Sequence, residues 1–320
     1  MAGADGADGA DGADGASGGA IDLGLRRPLG STGLSVGPLG FGTAPLGSMA
    51  DVFAFEVPED RALATVRAVL DSPISLIDTA AIYGDGESER RIGVVLAERG
   101  GVPPGVLICT KADRDHATLA FDGEQIRRSV EGSRSRLGMD HLPLVLLHDP
   151  EYTHATFEET IAAGGAVRAL LDLRDEGVIG HIGIGAGPIG MLRRYIDTGV
   201  IEVLLTHNRY TLVDRSAAGL IEHAVERGVA VLNGGVYGSG ILAKGSAAYA
   251  RYGYRDAEPD LLERVRAIET LCAQAGLPMA AAALHFSLRN PLITSTVVGM
   301  TSPDRVAATL GYVETAIPEG

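Results

Sequence analysis

Residues 74–111, ISLIDTAAIYGDGESERRIGVVLAERGGVPPGVLICTK, contain one complete repeat of the pattern that runs through this chain. A short apolar run, ISLIDT, leads through a glycine-rich loop into ESERRIGVVLAERG, where apolar residues recur with the 3.6-residue period of a helix. A second apolar run, GVLICTK, follows that helix. The order strand, helix, strand is typical of a parallel sheet whose faces are covered by helices.

The same alternation continues along most of the sequence. Helical patterns such as PEDRALATVRAVLD, DGEQIRRSVEGSRSRLG and DRSAAGLIEHAVERG separate short apolar runs. Eight such runs are present, at 39–43, 74–79, 105–111, 142–148, 178–185, 201–207, 229–233 and 294–299. Eight strands alternating with helices predict a (β/α)8 barrel. A doubly wound sheet is the alternative, but its G-x-G-x-x-G phosphate loop is absent, since GFGTAPLG lacks the third glycine at the required offset.

The first 20 residues, MAGADGADGADGADGASGGA, differ from the rest in composition. They contain no Lys, Arg or apolar stretch, so they match neither a signal peptide nor a transit peptide, and we expect a disordered tail. Residues 21–320 then form a single barrel domain, which begins with a β-hairpin in RRPLGSTGLSVGPLG. The segment 238–260, after the seventh run, is predicted to be a long loop that covers a ligand.

Charge and cysteine content restrict the partners and the compartment. The formal net charge of −14 argues against nucleic acid and anionic membranes, and no apolar run approaches the ~18 residues of a membrane span. The two cysteines, Cys109 and Cys272, lie in apolar surroundings, and neither they nor the histidines show metal-ligand spacing. We therefore expect a cytoplasmic protein with core thiols and no metal; the oligomeric state stays open.

Polar residues end three successive apolar runs, at the end of the barrel where such folds place their chemistry. Asp78 ends the second run, Lys111 the third and His148 the fourth, while Tyr83 lies in the loop after Asp78. Lys111 is one of only two lysines among 27 basic residues, which indicates a need for a compact ammonium at that position. Its positive charge is the partner that a buried Asp78 requires.

These four residues form a consistent proton-transfer site. A free tyrosine titrates near ~10, and an adjacent ammonium is expected to lower the pKa of Tyr83. Asp78 would keep Lys111 charged, and His148 would hydrogen-bond the substrate oxygen. Taken alone, Asp78 could cap a turn and Tyr83 could be a half-buried loop aromatic. Their joint occurrence at successive strand ends favours the catalytic interpretation.

Five motifs in this order, DTAAIYG, TK, LLHDPE, NRYTLVD and VVGMTSPDRV, resemble the aldo-keto reductases. The resemblance runs from about residue 26 to the C-terminus and is nearest to the branch of aldose 1-dehydrogenases that act on L-fucose or D-threo-aldoses. It implies a (β/α)8 barrel that binds NAD or NADP without a Rossmann motif. It also implies that Asp78, Tyr83, Lys111 and His148 form the catalytic tetrad, with Tyr83 as the proton-transferring group.

The resemblance also places a cofactor site. Gly185 and Ala186 stand where the family has a Ser-Asn pair, and His207 stands in place of a Gln that holds the nicotinamide amide, so His207 and Asn208 would take over that contact. Asn233 stands where the family has an aromatic residue that stacks on the nicotinamide, and Tyr237, four residues later, could supply that stacking contact instead. The expected cofactor-binding residues are Gly42, Thr43, His207, Asn208, Asn233, Gly234, Ser239, Gly240, Met300, Thr301, Ser302 and Arg305. Of the usual ligands for a 2′-phosphate only Arg305 remains, so NAD+ should serve at least comparably to NADP+.

The expected substrate is a small polar molecule. The chain has no Trp, and Tyr249, Tyr252 and Tyr254 in the 238–260 segment offer hydroxyl groups beside flat surfaces, which suits a pyranose. The first hypothesis is oxidation of an aldose at C1 to the lactone. The alternatives are NADPH-dependent reduction of small aldehydes or ketones, pyridoxal-like ones included, and a cofactor-sensing binding module.

Overall fold

The structure, a computed structural model, describes residues 21–49 and 55–318. The tail expected at residues 1–20 lies outside this part of the chain. Eight parallel strands close into a barrel in chain order, so the predicted (β/α)8 barrel is confirmed. The barrel strands are β3 (Leu39–Gly42), β4 (Leu76–Asp78), β5 (Leu107–Ala112), β6 (Leu142–His148), β7 (Ile179–Ala186), β8 (Val203–His207), β9 (Ala230–Gly234) and β12 (Ser295–Gly299).

Helices follow the strands and surround the barrel. Several begin with a side-chain cap, such as Asp122, which accepts a hydrogen bond from the backbone N–H of Gln125, and Ser302, which accepts one from that of Arg305. The α-helices of the described residues are α1 (Glu59–Leu70), α2 (Glu87–Glu98), α3 (Gly123–Leu137), α4 (Phe157–Ile161), α5 (Ala166–Asp175), α6 (Ile189–Asp197), α7 (Ala218–Glu226), α8 (Ile241–Lys244), α9 (Pro259–Gln274), α10 (Met279–Leu288) and α11 (Pro303–Glu314).

The strand side chains alternate between two apolar cores. One set fills the barrel interior, and the other packs between the strands and the helices. The predicted hairpin is present as β1 (Arg27–Pro28) and β2 (Ser35–Val36). Its Leu29 and Val36 are fully buried in the interior core, so the hairpin closes the end of the barrel at which the strands begin. The opposite end, where the strands finish, carries the candidate site.

A buried ion pair ties α2 to the neighbouring elements. The Glu89 carboxylate is fully buried and lies 2.7 Å from Arg136 Nη2 of α3, and it also accepts a hydrogen bond from the Thr110 hydroxyl of β5. Burial raises the pKa of Glu89, although Arg136 opposes that shift. This contact holds α2 against the strand that carries Lys111.

The segment 238–260 has more regular structure than a loop. It contains a single 3-10 turn (Gly238–Gly240), the short helix α8, and a two-stranded hairpin of β10 (Arg251–Tyr252) and β11 (Arg255–Asp256). The Tyr252 hydroxyl donates to the backbone carbonyl of Asn208 at 2.8 Å, which fastens the hairpin to the loop after β8. The expectation of an irregular loop is therefore corrected, because local pairing and this tyrosine contact order the segment.

Within the described residues no single helix is long and apolar enough to cross a membrane, and one pair, α9 with α10, meets the length and composition only when taken together across a bend of 102°.

Candidate active site

The carboxyl ends of the eight barrel strands form a ring of inward-facing positions. Inward-facing and outward-facing residues alternate along each strand. A residue that comes two positions after an interior core residue therefore also faces inward. In four strands the last inward-facing residue carries a polar side chain, namely Asp78, Lys111, His148 and His207. In the other four it is a glycine, namely Gly42, Gly185, Gly234 and Gly299. Half of the barrel mouth is thus bare backbone.

Lys111 is the centre of the buried charged group. Its side chain is 1% exposed, and Nζ donates to Asp78 Oδ2 at 2.9 Å, to the Thr79 carbonyl at 2.7 Å and to Tyr83 Oη at 3.1 Å. These three acceptors satisfy the three N–H bonds of an ammonium. Burial alone would lower the pKa of Lys111, but the Asp78 carboxylate outweighs it and the pKa lies above its ordinary value. Lys111 therefore stays charged, as the sequence predicts.

The loop after β4 places Tyr83 over this ammonium. Gly84 follows with φ of +62°, and a Cβ at that position would overlap the backbone of Gly47. The close approach of the loop after β3 therefore requires a glycine directly after the tyrosine. The Tyr83 ring also meets the His148 ring edge-on, with 5.7 Å between the ring centres. The sequence YG in DTAAIYG thus reflects the contact between two loops at the mouth.

The expectation of a lowered Tyr83 pKa is not met. Burial of the phenol raises the pKa, and the nearby Asp78 adds to that, while Lys111 acts in the opposite direction without reversing the shift. A tyrosinate loses its hydration on burial, and a single ammonium shared with Asp78 does not replace it. Tyr83 is therefore a neutral phenol in this structure, placed to donate a proton.

His148 lies between two carboxylates. Its Nδ1 is 2.6 Å from Asp113 Oδ1, and its Nε2 is 3.6 Å from Asp149 Oδ2. Burial alone would lower the pKa of His148, but the two carboxylates outweigh it and hold the pKa above its ordinary value. Because Nδ1 is taken by Asp113, Nε2 is the nitrogen left for a substrate.

Asp113 also belongs to the site, although it was not among the residues predicted from the sequence. The residue is 2% exposed and follows Lys111 by two positions, so it takes the next inward-facing place beyond β5. The two-residue period of a strand could have found it, since any polar residue two places after an inward-facing lysine faces the same interior. The predicted run ended at Lys111, and the position was therefore not considered.

His207 occupies the mouth opposite the tyrosine loop. The Asn208 side-chain amide donates to His207 Nδ1 at 3.2 Å, which leaves the ring hydrogen on Nε2, 4.0 Å from Asp149 Oδ1. Burial lowers the pKa of His207, and the opposing effect of the Asp149 carboxylate does not reverse that shift, so the ring is neutral. Asn208 itself is buried with φ of +57°. The pair therefore presents one N–H donor of fixed direction to the interior of the mouth.

Two acidic side chains line the same rim. Asp149 adopts φ of +43°, an uncommon conformation for a residue with a side chain, and its backbone N–H donates to the Gly185 carbonyl at 2.9 Å. Glu151 Oε1 accepts from the Gly187 N–H at 2.9 Å. Burial and the neighbouring Asp149 raise the pKa of Glu151. Within residues 21–49 and 55–318, Asp149 Oδ1 and Glu151 Oε2 are buried and make no hydrogen bond.

The side chains of three expected cofactor-binding residues face away from the mouth, so a cofactor would meet only the backbone at these positions. The Thr43 hydroxyl is buried and donates to the backbone carbonyl of Asp78 at 2.9 Å. The Asn233 amide faces outward from the barrel and donates to the Tyr210 carbonyl at 3.0 Å and to Ser287 Oγ at 2.8 Å. Met300 packs in the outer core at 1% exposure. Each lies one position from an inward-facing glycine, so the two-residue strand period turns its side chain away.

The remaining expected residues lie on two elements beside the mouth. Ser239 and Gly240 belong to the ordered 238–260 segment, in which Ser239 Oγ accepts a hydrogen bond from the Tyr254 backbone N–H at 3.0 Å. Thr301, Ser302 and Arg305 lie at the start of α11, directly after the ring position Gly299, and their side chains are partly or fully exposed. A helix N-terminus of this kind favours anionic groups.

The open part of the ring fits a flat cofactor. Gly234, Gly299 and Gly42 belong to neighbouring strands, and any Cβ at these positions would project into the mouth beside Asp78. A planar nicotinamide ring needs such a surface without side chains, and the His207 N–H is a donor suited to its amide. The donor set contains no metal site, since no group of three His, Cys, Asp or Glu side chains in the described residues is placed to hold an ion.

Comparison with known proteins agrees with this geometry. Residues 38–319 match the model of the Aldo/keto reductase family. The chain belongs to the aldo/keto reductase family. As such it is an oxidoreductase that uses NAD or NADP and acts on a small-molecule substrate.

Relatives of this aldo/keto reductase include three named dehydrogenases. It is 31% identical to pyridoxal 4-dehydrogenase of Microbacterium luteolum over 92% of the chain and 94% of that protein. It is 29% identical to D-threo-aldose 1-dehydrogenase of a Pseudomonas species, over 91% and 93%. It is 30% identical to L-galactose dehydrogenase of Arabidopsis thaliana, over 90% and 87%. The resemblance to the aldose dehydrogenase branch is thus confirmed.

A solved structure shares the fold. The holo form of an aldo-keto reductase from Bacillus halodurans superposes with a TM-score of 0.73 and 24% identity, and the match covers 91% of each chain. At this identity the likeness concerns the barrel architecture.

Proposed function

We propose that this aldo/keto reductase oxidises the C1 position of a cyclic aldose, such as L-fucose or a D-threo-aldose, to the lactone. The observation that carries the proposal is the buried contact of Lys111 with both Asp78 and Tyr83, at hydrogen-bond distance from each, beside His148. This arrangement supplies a proton-transferring hydroxyl, a fixed positive charge and a second hydrogen-bonding group at one point. These are the functions that hydride transfer at a C–O bond requires from a protein.

Each member of the tetrad has one role in the proposal. Tyr83 Oη exchanges a proton with the substrate oxygen, and Lys111 Nζ stabilises the tyrosinate that forms when Tyr83 gives up its proton. Asp78 keeps Lys111 charged and oriented. His148 Nε2 hydrogen-bonds the same substrate oxygen. When bound, the nicotinamide cofactor supplies the acceptor or donor of the hydride.

The cofactor would lie over the glycine side of the ring. We assign the amide contact to His207, supported by Asn208, and backbone contacts to Gly42 and Gly234. Ser239, Gly240, Thr301, Ser302 and Arg305 would hold the phosphates and the adenosine ribose. Arg305 is the one strong ligand for a 2′-phosphate among the expected positions, so the proposal includes use of NAD+ at least comparable to that of NADP+.

The polar rim favours a sugar among possible substrates. Asp149 and Glu151 each keep a buried carboxylate oxygen free of hydrogen bonds within the described residues. Acceptors of this kind bind hydroxyl groups and leave a plain aldehyde without compensation for their desolvation, which weakens its binding. The relatives that are named as acting on D-threo-aldoses and L-galactose support the same class.

The 31% identical relative named pyridoxal 4-dehydrogenase favours a second candidate. Pyridoxal carries an aldehyde beside a hydroxymethyl group and can close to a cyclic hemiacetal, as an aldose does. The tetrad would treat both hemiacetals alike. Reduction of small aldehydes with NADPH uses the same residues in the opposite direction. A cofactor-sensing module without turnover, and a cytoplasmic location, remain predictions from the sequence.

A substrate panel tests the proposal. The full-length protein is mixed with aldoses of both series, pyridoxal and simple aldehydes, with NAD+, NADP+ or NADPH, and nicotinamide absorbance is followed. We expect L-fucose or an aldose with related ring stereochemistry to give the highest kcat/KM. Efficient oxidation of pyridoxal alone would select the second candidate, efficient reduction of simple aldehydes alone would select the reductase, and no turnover of any compound would leave the binding module.

A further inference from the structure

Asp113 uses both of its carboxylate oxygens to connect two parts of the site. Oδ1 lies 2.6 Å from His148 Nδ1, and Oδ2 accepts the backbone N–H of Ile82 at 3.0 Å. Ile82 directly precedes Tyr83. The carboxylate therefore contacts the ring at the end of β6 and the loop that follows β4 at the same time.

The position of Asp113 is itself fixed from α3. Its backbone N–H donates to Ser129 Oγ at 2.9 Å, and Gln125 Nε2 donates to its carbonyl at 3.1 Å. With the side chain 3% exposed, little freedom remains for the carboxylate to move. Groups held in this way keep their partners in one geometry.

The chemistry of the contact fixes the hydrogen on the imidazole. An ionised carboxylate can only accept hydrogen bonds, so His148 Nδ1 must carry a hydrogen toward Asp113. In the neutral ring this leaves a lone pair on Nε2, and in the protonated ring Nε2 becomes a donor. Nε2 thus accepts from a substrate hydroxyl or donates to a carbonyl, according to the charge of the ring.

We infer that Asp113 is a positioning residue that sets the His148 tautomer and holds the Tyr83 loop at a fixed distance from that ring. The catalytic role of Asp113 rests on the proposed function, whereas the His148 tautomer and the contact with the Tyr83 loop do not depend on it. The two groups that meet the substrate oxygen, Tyr83 Oη and His148 Nε2, then depend on one carboxylate for their relative placement.

Several charged or titratable groups face the His148 ring from the surrounding elements. Two carboxylates favour the protonated ring and one ammonium opposes it, and burial acts against the charge. These groups are Asp113 and Lys111 of the β5 end, Asp149 and Glu151 of the segment after β6, Tyr83 of the loop after β4 and His207 of the β8 end. Replacing Asp113 by a neutral isostere removes the nearest carboxylate and should lower the pKa of His148.

Nitrogen NMR of the histidine rings tests the inference without a substrate. Full-length protein labelled with ¹⁵N-histidine is titrated from acid to alkaline pH, and the His148 signals are assigned by their loss in His148→Gln. We expect Nδ1 to stay protonated while Nε2 titrates, and the pKa to fall by about one unit or more in Asp113→Asn. Asp115→Asn is the matched control, because Asp115 lies in the same loop but bonds Thr118 at 2.7 Å. A neutral ring protonated at Nε2, or an unchanged pKa in Asp113→Asn, would overturn the inference.

Kinetics supplies a second readout. Asp113→Asn should lower kcat on the order of tenfold to a hundredfold, less than the loss of a general acid–base group. Because the Asn side-chain oxygen can still accept the Ile82 N–H, this substitution changes mainly the His148 contact, and it should have almost no further effect in a His148→Gln background. Asp113→Glu keeps the charge and tests whether placement matters if Asp113→Asn does not fold. Equal losses from Asp113→Asn in both backgrounds would show that Asp113 does not act through His148, which would overturn the inference. If the NMR result holds while no aldose is oxidised, the proposed function fails and the role of Asp113 in placing His148 stands.

Discussion

Tyr83 is the residue on which the proposed chemistry depends. Tyr83→Phe removes the hydroxyl and keeps the ring, so turnover should fall on the order of 10²- to 10⁴-fold while the Kd for the cofactor stays nearly unchanged. Nicotinamide absorbance gives the rate, and quenching of protein fluorescence gives the Kd. Tyr195→Phe is the control, since Tyr195 lies in the outer core and its hydroxyl forms a hydrogen bond with Thr160 at 2.7 Å, away from the candidate site. A Tyr83→Phe variant that kept most of the wild-type rate would remove Tyr83 from the mechanism.

The raised pKa of Tyr83 predicts a dependence of oxidation on pH. Oxidation requires Tyr83 to accept a proton, so it needs the ionised form, which is the minor form below a pKa that burial has raised. The fraction ionised then increases about tenfold for each pH unit. We expect kcat/KM for oxidation to keep rising to at least about pH 9, above which a normal tyrosine would begin to ionise. A plateau that begins near neutral pH would show that the Tyr83 pKa is lowered in the working enzyme.

The sequence determined more about strands than about side-chain direction. All eight predicted runs became barrel strands, because each is a short apolar segment bounded by polar or glycine-rich residues. The predicted tetrad rests on residue type at the strand ends, and the structure brings these four side chains together. The outward direction of the Asn233 and Met300 side chains was not predicted, since assigning a face requires knowing which strand residue faces inward. The prediction of a lowered Tyr83 pKa was also wrong, because the degree of burial is not visible in the sequence.

The ordered segment 238–260 gives a prediction for the cofactor. A Cβ at Gly238 would overlap the Tyr252 ring, and the residue has φ of +55°, so Gly238→Ala should displace the hairpin from the loop after β8. We expect the Kd for the cofactor to rise roughly tenfold, which corresponds to about 1.4 kcal/mol. Gly253→Ala is the control, since Gly253 has φ of +57° but an added Cβ would meet no atom within 4 Å. Equal effects of both substitutions on Kd, measured by fluorescence titration, would mean that the segment does not contact the cofactor.

The two ends of the barrel have separate tasks. The β1–β2 hairpin closes the end where strands begin, and the candidate site occupies the end where they finish. Removing residues 1–20 should therefore change neither the melting temperature nor turnover, because the tail has no apolar residues able to dock on a core. Leu29→Ala should instead destabilise the fold by about 2–5 kcal/mol, since Leu29 is fully buried in the interior core. Calorimetry of both variants checks this, and a loss of several degrees on removing the tail would contradict it.

The product of the reaction tests the proposed activity of the whole molecule most directly. The purified full-length protein is incubated with NAD+ and L-fucose, or with the best aldose of the panel, and the sugar is followed by ¹³C NMR while the reduced nicotinamide is counted by absorbance. We predict that the C1 signal of the hemiacetal is replaced by that of a lactone or its aldonic acid, with one molecule of product for each reduced nicotinamide. Tyr83→Phe should form almost no product. If no aldose gives this product while a simple aldehyde is reduced efficiently by NADPH, the enzyme is a carbonyl reductase and the assignment of its substrate to sugars is wrong.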